Sequence, residues 1–108
     1  IAWFSGNNGA WGTPTYGTNA VGQKLANGFG LHDMSGNVYE LVNDWYSSSY
    51  YASSPMLNPT GPTTGSGRVM RGGSWSVETV GLRSSIRSTG APSVSANSIG
   101  FRVARNPE

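Results

Sequence analysis

Glycine is the residue that most limits what this chain can fold into: 16 of the 108 residues are glycine, and six more are proline. Both residue types interrupt helices and favour turns, so their number argues against a helical bundle and against a coiled coil. Disorder is not indicated either, because the chain carries four Trp, five Tyr and three Phe, and disordered segments are poor in aromatic residues. The composition therefore predicts a small, turn-rich globular fold.

Charge is scarce and weakly positive. Charged residues make up 11% of the chain and the formal net charge is +2, whereas an average folded domain has about 25% charged residues. No run of Lys or Arg is present, so we expect no nucleic-acid binding through phosphate neutralisation. No apolar run approaches the roughly 18 residues that a membrane span needs, so none is predicted. The chain has no cysteine, which excludes thiolate metal sites and cysteine nucleophiles within it. The cellular location is left open.

Short strands separated by irregular chain are expected from the residue pattern. Residues 38–46 are of types that favour a strand, although the apolar spacing leaves a helix open. A long loop is predicted over 47–67, a short strand that ends in a glycine pair over 68–75, and a last strand over 99–105. Residues 1–30 follow no regular period and are interpreted as irregular chain pinned by aromatic side chains.

Two groups of polar residues invite a functional interpretation. Asp33 and Glu40 flank Gly36, and such a cluster of oxygen atoms suits either a calcium ion or an ordinary turn with solvated carboxylates. Six arginines stand against one lysine, which favours planar, bidentate hydrogen bonding. Two uses of the arginines stay open: bonds that tie loops together, and binding of an anionic ligand.

The segment Gly-Leu-His-Asp-Met-Ser-Gly-Asn-Val-Tyr-Glu at 30–40 resembles the signature of the formylglycine-generating enzyme, or sulfatase-modifying factor, family. Further blocks follow in the family's order at 44–46, 58–62, 68–75, 83–87 and 99–104, so the resemblance covers about residues 20–105. It implies an α+β, C-type-lectin-like fold with short twisted antiparallel strands and much irregular chain. It also implies that 1–108 is a single domain similar to the C-terminal half of the family's domain.

The resemblance implies a calcium site formed by the side chains of Asp33 and Glu40 and the backbone carbonyls of Gly36 and Val38. It gives no copper site, because the family's copper-binding cysteine pair would fall within 75–82 and this chain has no cysteine. We therefore predict a non-catalytic ligand-binding or structural module, in effect a pseudoenzyme, that calcium could stabilise. The alternative is a fragment or shortened relative of a formylglycine-generating oxidoreductase whose missing half supplies the chemistry.

A ligand-binding surface is expected in residues beside the Gly-Gly-Ser block. In the family these residues lie between sequence motifs that resemble fixed positions. Residues 76–98 resemble in this respect the targets of diversity-generating retroelements, although a plain surface loop is the alternative. The ligand would be a protein, a peptide or a glycan, and self-association is a further expectation. The candidate surface residues are Ser74, Trp75, Ser76, Val77, Glu78, Thr79, Ser85 and Ile86.

Overall fold

A four-stranded sheet organises residues 1–105, which are the residues that the computed structural model describes. The C-terminal end of the predicted 1–108 domain, residues 106–108, lies outside them. The strand order is β3-β2-β1-β4, and two short 3-10 helices span Tyr50–Ala52 and Thr79–Leu82. The strands are β1 (Tyr39–Trp45), β2 (Arg68–Arg71), β3 (Ser88–Gly90) and β4 (Ile99–Phe101).

The sheet is mixed, which corrects the predicted all-antiparallel arrangement. β2 runs antiparallel to both β1 and β3, but β4 runs parallel to β1. The chain that leaves β3 at one edge crosses to the opposite edge before it enters β4, and a long crossover of this kind permits parallel pairing. Residues 1–105 contain no α-helix, so the helical part of the predicted α+β class is wrong for this part of the chain.

The predicted strands are present, but two are shorter than expected. Residues 38–46 form a strand rather than a helix. β2 ends at Arg71 because Gly72 and Gly73 adopt φ angles of +87° and +73°, in the left-handed region that only glycine enters readily. β4 ends at Phe101, where its pairing with Leu41 of β1 ends. The loop over 47–67 is confirmed and contains one turn of 3-10 helix.

The buried apolar core is small. Val69 and Met70 of β2 are 4% and 7% exposed, and Trp75, just beyond the strand, is 7% exposed. Many large apolar side chains lie at the surface, including Phe29 at 90% and Phe101 at 78% exposure. Burial of apolar side chains therefore accounts for only part of the stability of the irregular segments. Polar contacts also stabilise them.

The irregular N-terminal segment is pinned by aromatic side chains, as predicted. Lys24 places its ammonium nitrogen 3.8 Å from the centre of the Trp3 ring, a favourable cation–π distance. The Tyr16 ring packs edge-on against both Trp11 and Trp75, with centroids 5.5 and 4.9 Å apart. Such edge-to-face pairs stabilise beyond the area that they bury.

Asn37 joins this N-terminal segment to the signature. Its side chain accepts from the backbone N–H of Asn19 at 2.9 Å and donates to the Asn19 carbonyl at 3.1 Å. Its own backbone N–H donates to the Trp3 carbonyl, and its carbonyl accepts from the Trp75 N–H. Asn37 is 4% exposed, and its φ of +63° is one that Asn tolerates better than most residues. This one residue therefore ties three separate segments together.

Arginine side chains tie loops together, which confirms one of the two uses left open. Arg71 donates to the carbonyls of Ser84 and Ile86. Arg87 donates to the carbonyl of Ser47 at 3.4 Å, 40 residues away in sequence. The other arginines that donate to backbone carbonyls are Arg68, Arg83 and Arg102.

Candidate functional site

Asp33 lies in the loop before β1, in a backbone conformation with φ of +53°. One of its carboxylate oxygens, Oδ2, accepts a hydrogen bond of 2.7 Å from the backbone N–H of Gly22. The other oxygen, Oδ1, is buried and has no hydrogen-bond partner. A buried carboxylate oxygen without a partner is costly, so Asp33 keeps one unused acceptor inside this loop.

Glu40 of β1 is fully engaged by Arg102, the residue that follows β4. Arg102 Nε lies 3.1 and 3.0 Å from the two carboxylate oxygens of Glu40, and Nη2 lies 2.5 Å from Oε1. The same guanidinium donates to the carbonyl of His32 at 3.0 Å and to that of Asp33 at 3.4 Å. Arg102 thus collects four oxygen atoms from the strand and the signature loop.

The electrostatics of Arg102 follow from this arrangement. The pKa of Arg102 is raised above its ordinary value, chiefly by the hydrogen bonds to Glu40. Burial of the guanidinium lowers this pKa, whereas the negative charges of Glu40 and Asp33 raise it further. The guanidinium is therefore a permanent positive charge at this site.

Gly36 and Val38 lie between the two acidic residues. The Gly36 N–H donates to the carbonyl of Gly72 at 2.8 Å, and Gly36 itself pairs with Trp3 in an isolated bridge. The Val38 side chain packs on Gly100 of β4, since a Cβ at Gly100 would lie 3.1 Å from Val38 Cγ2. The structure thus brings the four predicted calcium ligands to one open cavity of about 430 Å³, which they line together with Arg102.

These residues, as arranged, do not fit a calcium ion. Calcium takes six to eight oxygen ligands, but both Glu40 oxygens and one Asp33 oxygen are already hydrogen-bonded. A positive guanidinium stands among them. In residues 1–105 no three His, Cys, Asp or Glu side chains are grouped closely enough to hold a metal. Calcium binding by Asp33, Glu40 and the carbonyls of Gly36 and Val38 therefore stays a prediction.

The predicted ligand surface is only partly at the surface. Ser74 is fully buried at 0% exposure, so it is corrected from a surface residue to a core residue; its hydroxyl lies 3.1 Å from that of Ser76. Trp75 is also buried, because its indole packs against Tyr16 and donates to the Asn97 carbonyl. Val77 and Ile86 are half-buried. The exposed members are Ser76, Glu78, Thr79 and Ser85.

A second cavity, which we call the β1 cavity, lies between β1, β2 and the loop over 47–67, and it was not predicted. Its volume is about 350 Å³. Asp44 lines it, half-buried, and no hydrogen bond or ion pair engages its carboxylate; the one ion pair in residues 1–105 joins Glu40 and Arg102. The other side chains that matter for the argument are Trp45, Tyr50, Tyr51, Arg71 and Arg87.

Arg87 enters the β1 cavity with aromatic rings beside it. Its guanidinium carbon lies 4.1 Å from the centre of the Tyr51 ring and 5.3 Å from that of Tyr46. Apart from the 3.4 Å contact to Ser47, no hydrogen bond engages its N–H groups within the described chain. Arg71 differs, because its two terminal nitrogens donate to backbone carbonyls. Arg87 therefore has donors left for a ligand.

An irregularity in β1 lies beside this cavity, which Val42, Asp44 and Trp45 all line. Leu41 pairs with Met70 and Trp45 pairs with Arg68, so β1 uses four steps where β2 uses two. Two extra residues therefore bulge out of the ladder just before Trp45. Bulges re-aim side chains and are frequent next to functional sites. The sequence carries no signal for this bulge, since Asp44 reads as one position in an alternating strand.

The family described as "Sulfatase-modifying factor enzyme 1-like domain" matches residues 5–107. This chain belongs to that family. Its resemblance to formylglycine-generating enzymes, proposed from the sequence, is therefore confirmed.

Three curated proteins to which this chain is similar are 37–43% identical to it over the aligned residues. The formylglycine-generating enzyme of Streptomyces coelicolor is 42% identical over 85 residues, which are 76% of this chain and 27% of that protein. The mouse enzyme is 37% identical over 91 residues, 82% of this chain and 24% of its own length. Serine/threonine-protein kinase Pkn1 of Chlamydia trachomatis is 43% identical over 79 residues, 71% of this chain and 13% of the kinase. The chain thus spans about a quarter of the length of these two formylglycine-generating enzymes.

Two solved structures share the fold. Treponema denticola variable protein 1 superposes with a TM-score of 0.74 and 32% identity, covering 93% of this chain and 34% of that one. PvdO from Pseudomonas aeruginosa gives a TM-score of 0.70 and 32% identity, covering 80% and 33%. The fold of this chain is therefore similar to about a third of each of these two larger chains. Across residues 1–105, no helix has the length and apolar character to cross a lipid bilayer.

Proposed function

We propose that this chain is a non-catalytic ligand-binding module on a C-type-lectin-like scaffold, and that its ligand occupies the β1 cavity. The observation that carries the proposal is the Asp44 carboxylate, which is half-buried at the cavity and has no partner among residues 1–105. The carboxylate oxygens stay accessible and accept no hydrogen bond within residues 1–105, so both are open to a donor from a ligand. A ligand that brings a hydrogen-bond donor or a positive charge would give the Asp44 carboxylate the partner that it lacks within residues 1–105.

The ligand should carry both charges. Arg87 lines the same cavity and keeps unused donors, and it forms no ion pair with Asp44. An ammonium group facing Asp44 and a carboxylate facing Arg87 would satisfy both side chains through charge-assisted hydrogen bonds. About 350 Å³ accommodates a small zwitterion, such as an amino acid or the end of a peptide. Arg87 also lies in the 76–98 segment that the sequence marks for ligand binding.

Aromatic side chains complete the proposed site. Tyr50 and Tyr51 come from the short 3-10 helix, and Trp45 ends β1. The Tyr50 hydroxyl accepts from the Gly61 N–H at 3.2 Å, which fixes the wall of the cavity made by the loop. These rings offer apolar surface to a side chain of the ligand. The proposal thus favours a ligand whose charged groups flank an apolar portion.

The non-catalytic part of the proposal is supported by the cysteine count. The chain contains none, and the stretch over 75–82, where the family resemblance would place a copper-binding pair, offers Ser, Glu and Thr instead. These hard oxygen ligands do not suit copper(I), which prefers thiolates and thioethers. Ser74, which matches the family's active-site serine, is fully buried.

A second candidate function is part of a formylglycine-generating oxidoreductase, favoured by the 42% identity with the Streptomyces coelicolor enzyme. The chain spans 27% of that enzyme, so the chemistry would have to come from other sequence. The chain alone should be inactive under either proposal, so the two are distinguished by oxygen consumption, with copper and a cysteine-containing peptide, by the whole product of the reading frame that encodes this chain. Turnover would support the oxidoreductase and contradict the non-catalytic module.

The binding proposal is tested by a thermal-shift and calorimetric screen of free amino acids and short peptides. Binding should be lost in Asp44→Asn, which keeps the shape of the side chain and removes its charge. Arg87→Gln should weaken binding of an amino acid but leave binding of its carboxamide unchanged. Glu78→Gln, at an exposed carboxylate, is the matched control. Equal binding by Asp44→Asn and the unmodified chain would contradict the proposal.

Self-association belongs to the same proposal, and its support is an exposed apolar surface. Leu31 is shared by two neighbouring cavities, one lined also by Val21 and Phe101 and the other by Leu25 and Met34. All five side chains are at least 44% exposed. Large contiguous apolar surfaces of this kind are typical of protein–protein contacts.

A further inference from the structure

We infer that Asn27 is a site of spontaneous deamidation, at which this chain acquires an aspartate or an isoaspartate as it ages. The sequence contains two Asn-Gly pairs, Asn27-Gly28 and Asn8-Gly9, and a glycine that follows asparagine leaves its backbone nitrogen unhindered by a Cβ. Only the folded chain distinguishes the two pairs. The inference is independent of the proposed ligand binding, because none of these four residues lines the β1 cavity.

The reaction joins two atoms that are close neighbours along the chain. The backbone nitrogen of Gly28 loses its proton to hydroxide and forms a bond to the side-chain carbon Cγ of Asn27. The Cγ–Nδ2 bond breaks, and Nδ2 leaves as ammonia with a proton taken from water, which regenerates the hydroxide. Water then opens the cyclic succinimide at either of its carbonyls and gives aspartate or isoaspartate. Water is therefore the one co-reactant that is consumed.

The loop around Asn27 polarises its side-chain amide for this attack. The oxygen Oδ1 of Asn27 accepts from the backbone N–H of Phe29 at 2.9 Å and from that of Leu31 at 3.1 Å. Two donors on this oxygen draw electron density from Cγ, and they stabilise the negative charge that develops on the oxygen during attack. The same bonds fold the side chain back along its own backbone, as in an Asx turn.

The attacking and leaving groups at Asn27 are both available. No hydrogen bond within residues 1–105 engages the N–H of Gly28 or the Nδ2 of Asn27. Both residues are exposed, and no atom lies within 4 Å of the position that a Cβ on Gly28 would take. Water and hydroxide therefore reach the amide, and the tetrahedral intermediate has room to form.

Asn8 is protected by its surroundings, although it has the same neighbour in sequence. It is 2% exposed, and its Oδ1 accepts from Nδ2 of Asn19 at 2.5 Å. Gly9 packs closely on Thr15, since an added Cβ there would collide with the threonine hydroxyl. Attack at Asn8 requires this part of the chain to open first, and the free energy of opening slows the reaction.

Reaction at Asn27 alters the entrance to the signature segment. The Asn27 N–H donates to the Leu31 carbonyl at 2.9 Å, and its carbonyl accepts from the Gly30 N–H at 3.0 Å. Isoaspartate routes the backbone through the former side chain and adds a methylene group, so the loop cannot keep all these bonds. The product also places a negative charge at the cavity that Leu25 and Met34 line. Any loss of self-association rests on the proposed role of this surface, whereas the site of reaction does not.

The test follows deamidation of the full chain at mildly alkaline pH by peptide mass spectrometry, in buffer and in urea. Trypsin separates the two pairs, because cleavage after Lys24 puts Asn8 in peptide 1–24 and Asn27 in peptide 25–68. In urea both peptides should react at similar rates. In the folded chain peptide 25–68 should react at least about tenfold faster than peptide 1–24. Its fragmentation should place the new acid at position 27, and isoaspartate methyltransferase should label this peptide alone.

Gly28→Ala is the matched variant, because its Cβ hinders the attacking nitrogen and meets no other atom of the fold. It should slow the reaction at Asn27 markedly, in buffer and in urea alike. An unchanged rate in this variant would exclude the Gly28 nitrogen as the attacking group. Equal rates for the two peptides of the folded chain would overturn the inference. So would a folded chain in which neither peptide reacts while both react in urea, because the loop would then protect Asn27.

Discussion

Glu40 and Arg102 lie 62 residues apart in sequence and form a bidentate ion pair that joins β1 to the chain after β4. β4 is an edge strand of three residues, paired with β1 on one side only. Such a short strand contributes few backbone hydrogen bonds, so the ion pair supplies much of the link between the end of the chain and the sheet.

Glu40→Gln should lower the free energy of unfolding by about 1–2 kcal/mol. The variant keeps the volume but loses the charge that strengthens hydrogen bonds to Arg102; the value is reduced because Arg102 is 34% exposed and solvent screens the pair. Urea denaturation measures the change. Glu78→Gln, at an exposed residue that forms no ion pair within residues 1–105, is the control and should change stability by less than about 0.5 kcal/mol.

The stabilising contribution of the Arg102 charge should not vary between about pH 6 and pH 9. The pKa of Arg102 is raised in the folded chain, chiefly by its hydrogen bonds to Glu40. The contribution is therefore fully present below the pKa of arginine in the unfolded chain, and it is lost only as the pH rises through the higher folded pKa. Denaturation of the unmodified chain and Arg102→Met across this range would show a constant difference. A difference that falls steadily over the same range would contradict the prediction.

Gly36→Ala should destabilise the fold by about 2 kcal/mol or more. Gly36 has a φ of +78°, and a Cβ there would collide with the carbonyl oxygen of Trp3; strain and collision both oppose the substitution. Gly28→Ala is the matched control, because no atom lies within 4 Å of its added Cβ. Thermal unfolding followed by tryptophan fluorescence compares them. Equal stability of the two variants would mean that the Trp3 bridge does not hold in solution.

Val69→Ala should cost about 2 kcal/mol, from lost burial and the cavity left behind. Val69 is 4% exposed in a core with few other apolar members, so little repacking can compensate. Val103→Ala, at a side chain that is 85% exposed, should change the unfolding midpoint very little. Denaturant titration of both variants measures the contrast, and a similar loss at the two positions would show that the core is wrongly assigned.

Phe101→Ser should weaken self-association if the surface around Leu31 mediates it. Phe101 is 78% exposed and lines that surface, and apolar area removed from water is the main favourable contribution to such contacts. Light scattering over a range of concentrations gives the apparent mass. Met56→Ser, 98% exposed and outside both cavities of that surface, is the control. An apparent mass that changes equally in both variants would show that association is nonspecific and not mediated by this surface.

The sequence predicted three of the four strands, β1, β2 and β4, and it identified the family, but it showed no sign of β3 (Ser88–Gly90) within 76–98. Glycine and proline break the chain into short elements, and residues 38–46 are rich in strand-forming types, because these preferences act locally along the backbone. The order of the motifs between residues 20 and 105 was enough to recognise the family, which the match over residues 5–107 confirms. Composition offered the tying of loops as one of two uses of the arginines, and the structure shows those bonds.

Tertiary structure decided how distant residues meet, and hence what the acidic residues do. That β4 runs parallel to β1 depends on a crossover that no local pattern specifies. Contacts between segments far apart in sequence produce the pairing of Arg102 with Glu40 and the burial of Ser74. They also produce the bulge in β1 before Trp45, beside the cavity that Asp44 lines. Spacing alone places charges near one another along the chain. Only the fold determines which side chain pairs with a carboxylate, because hydrogen bonds and ion pairs depend on distances of a few Å in space.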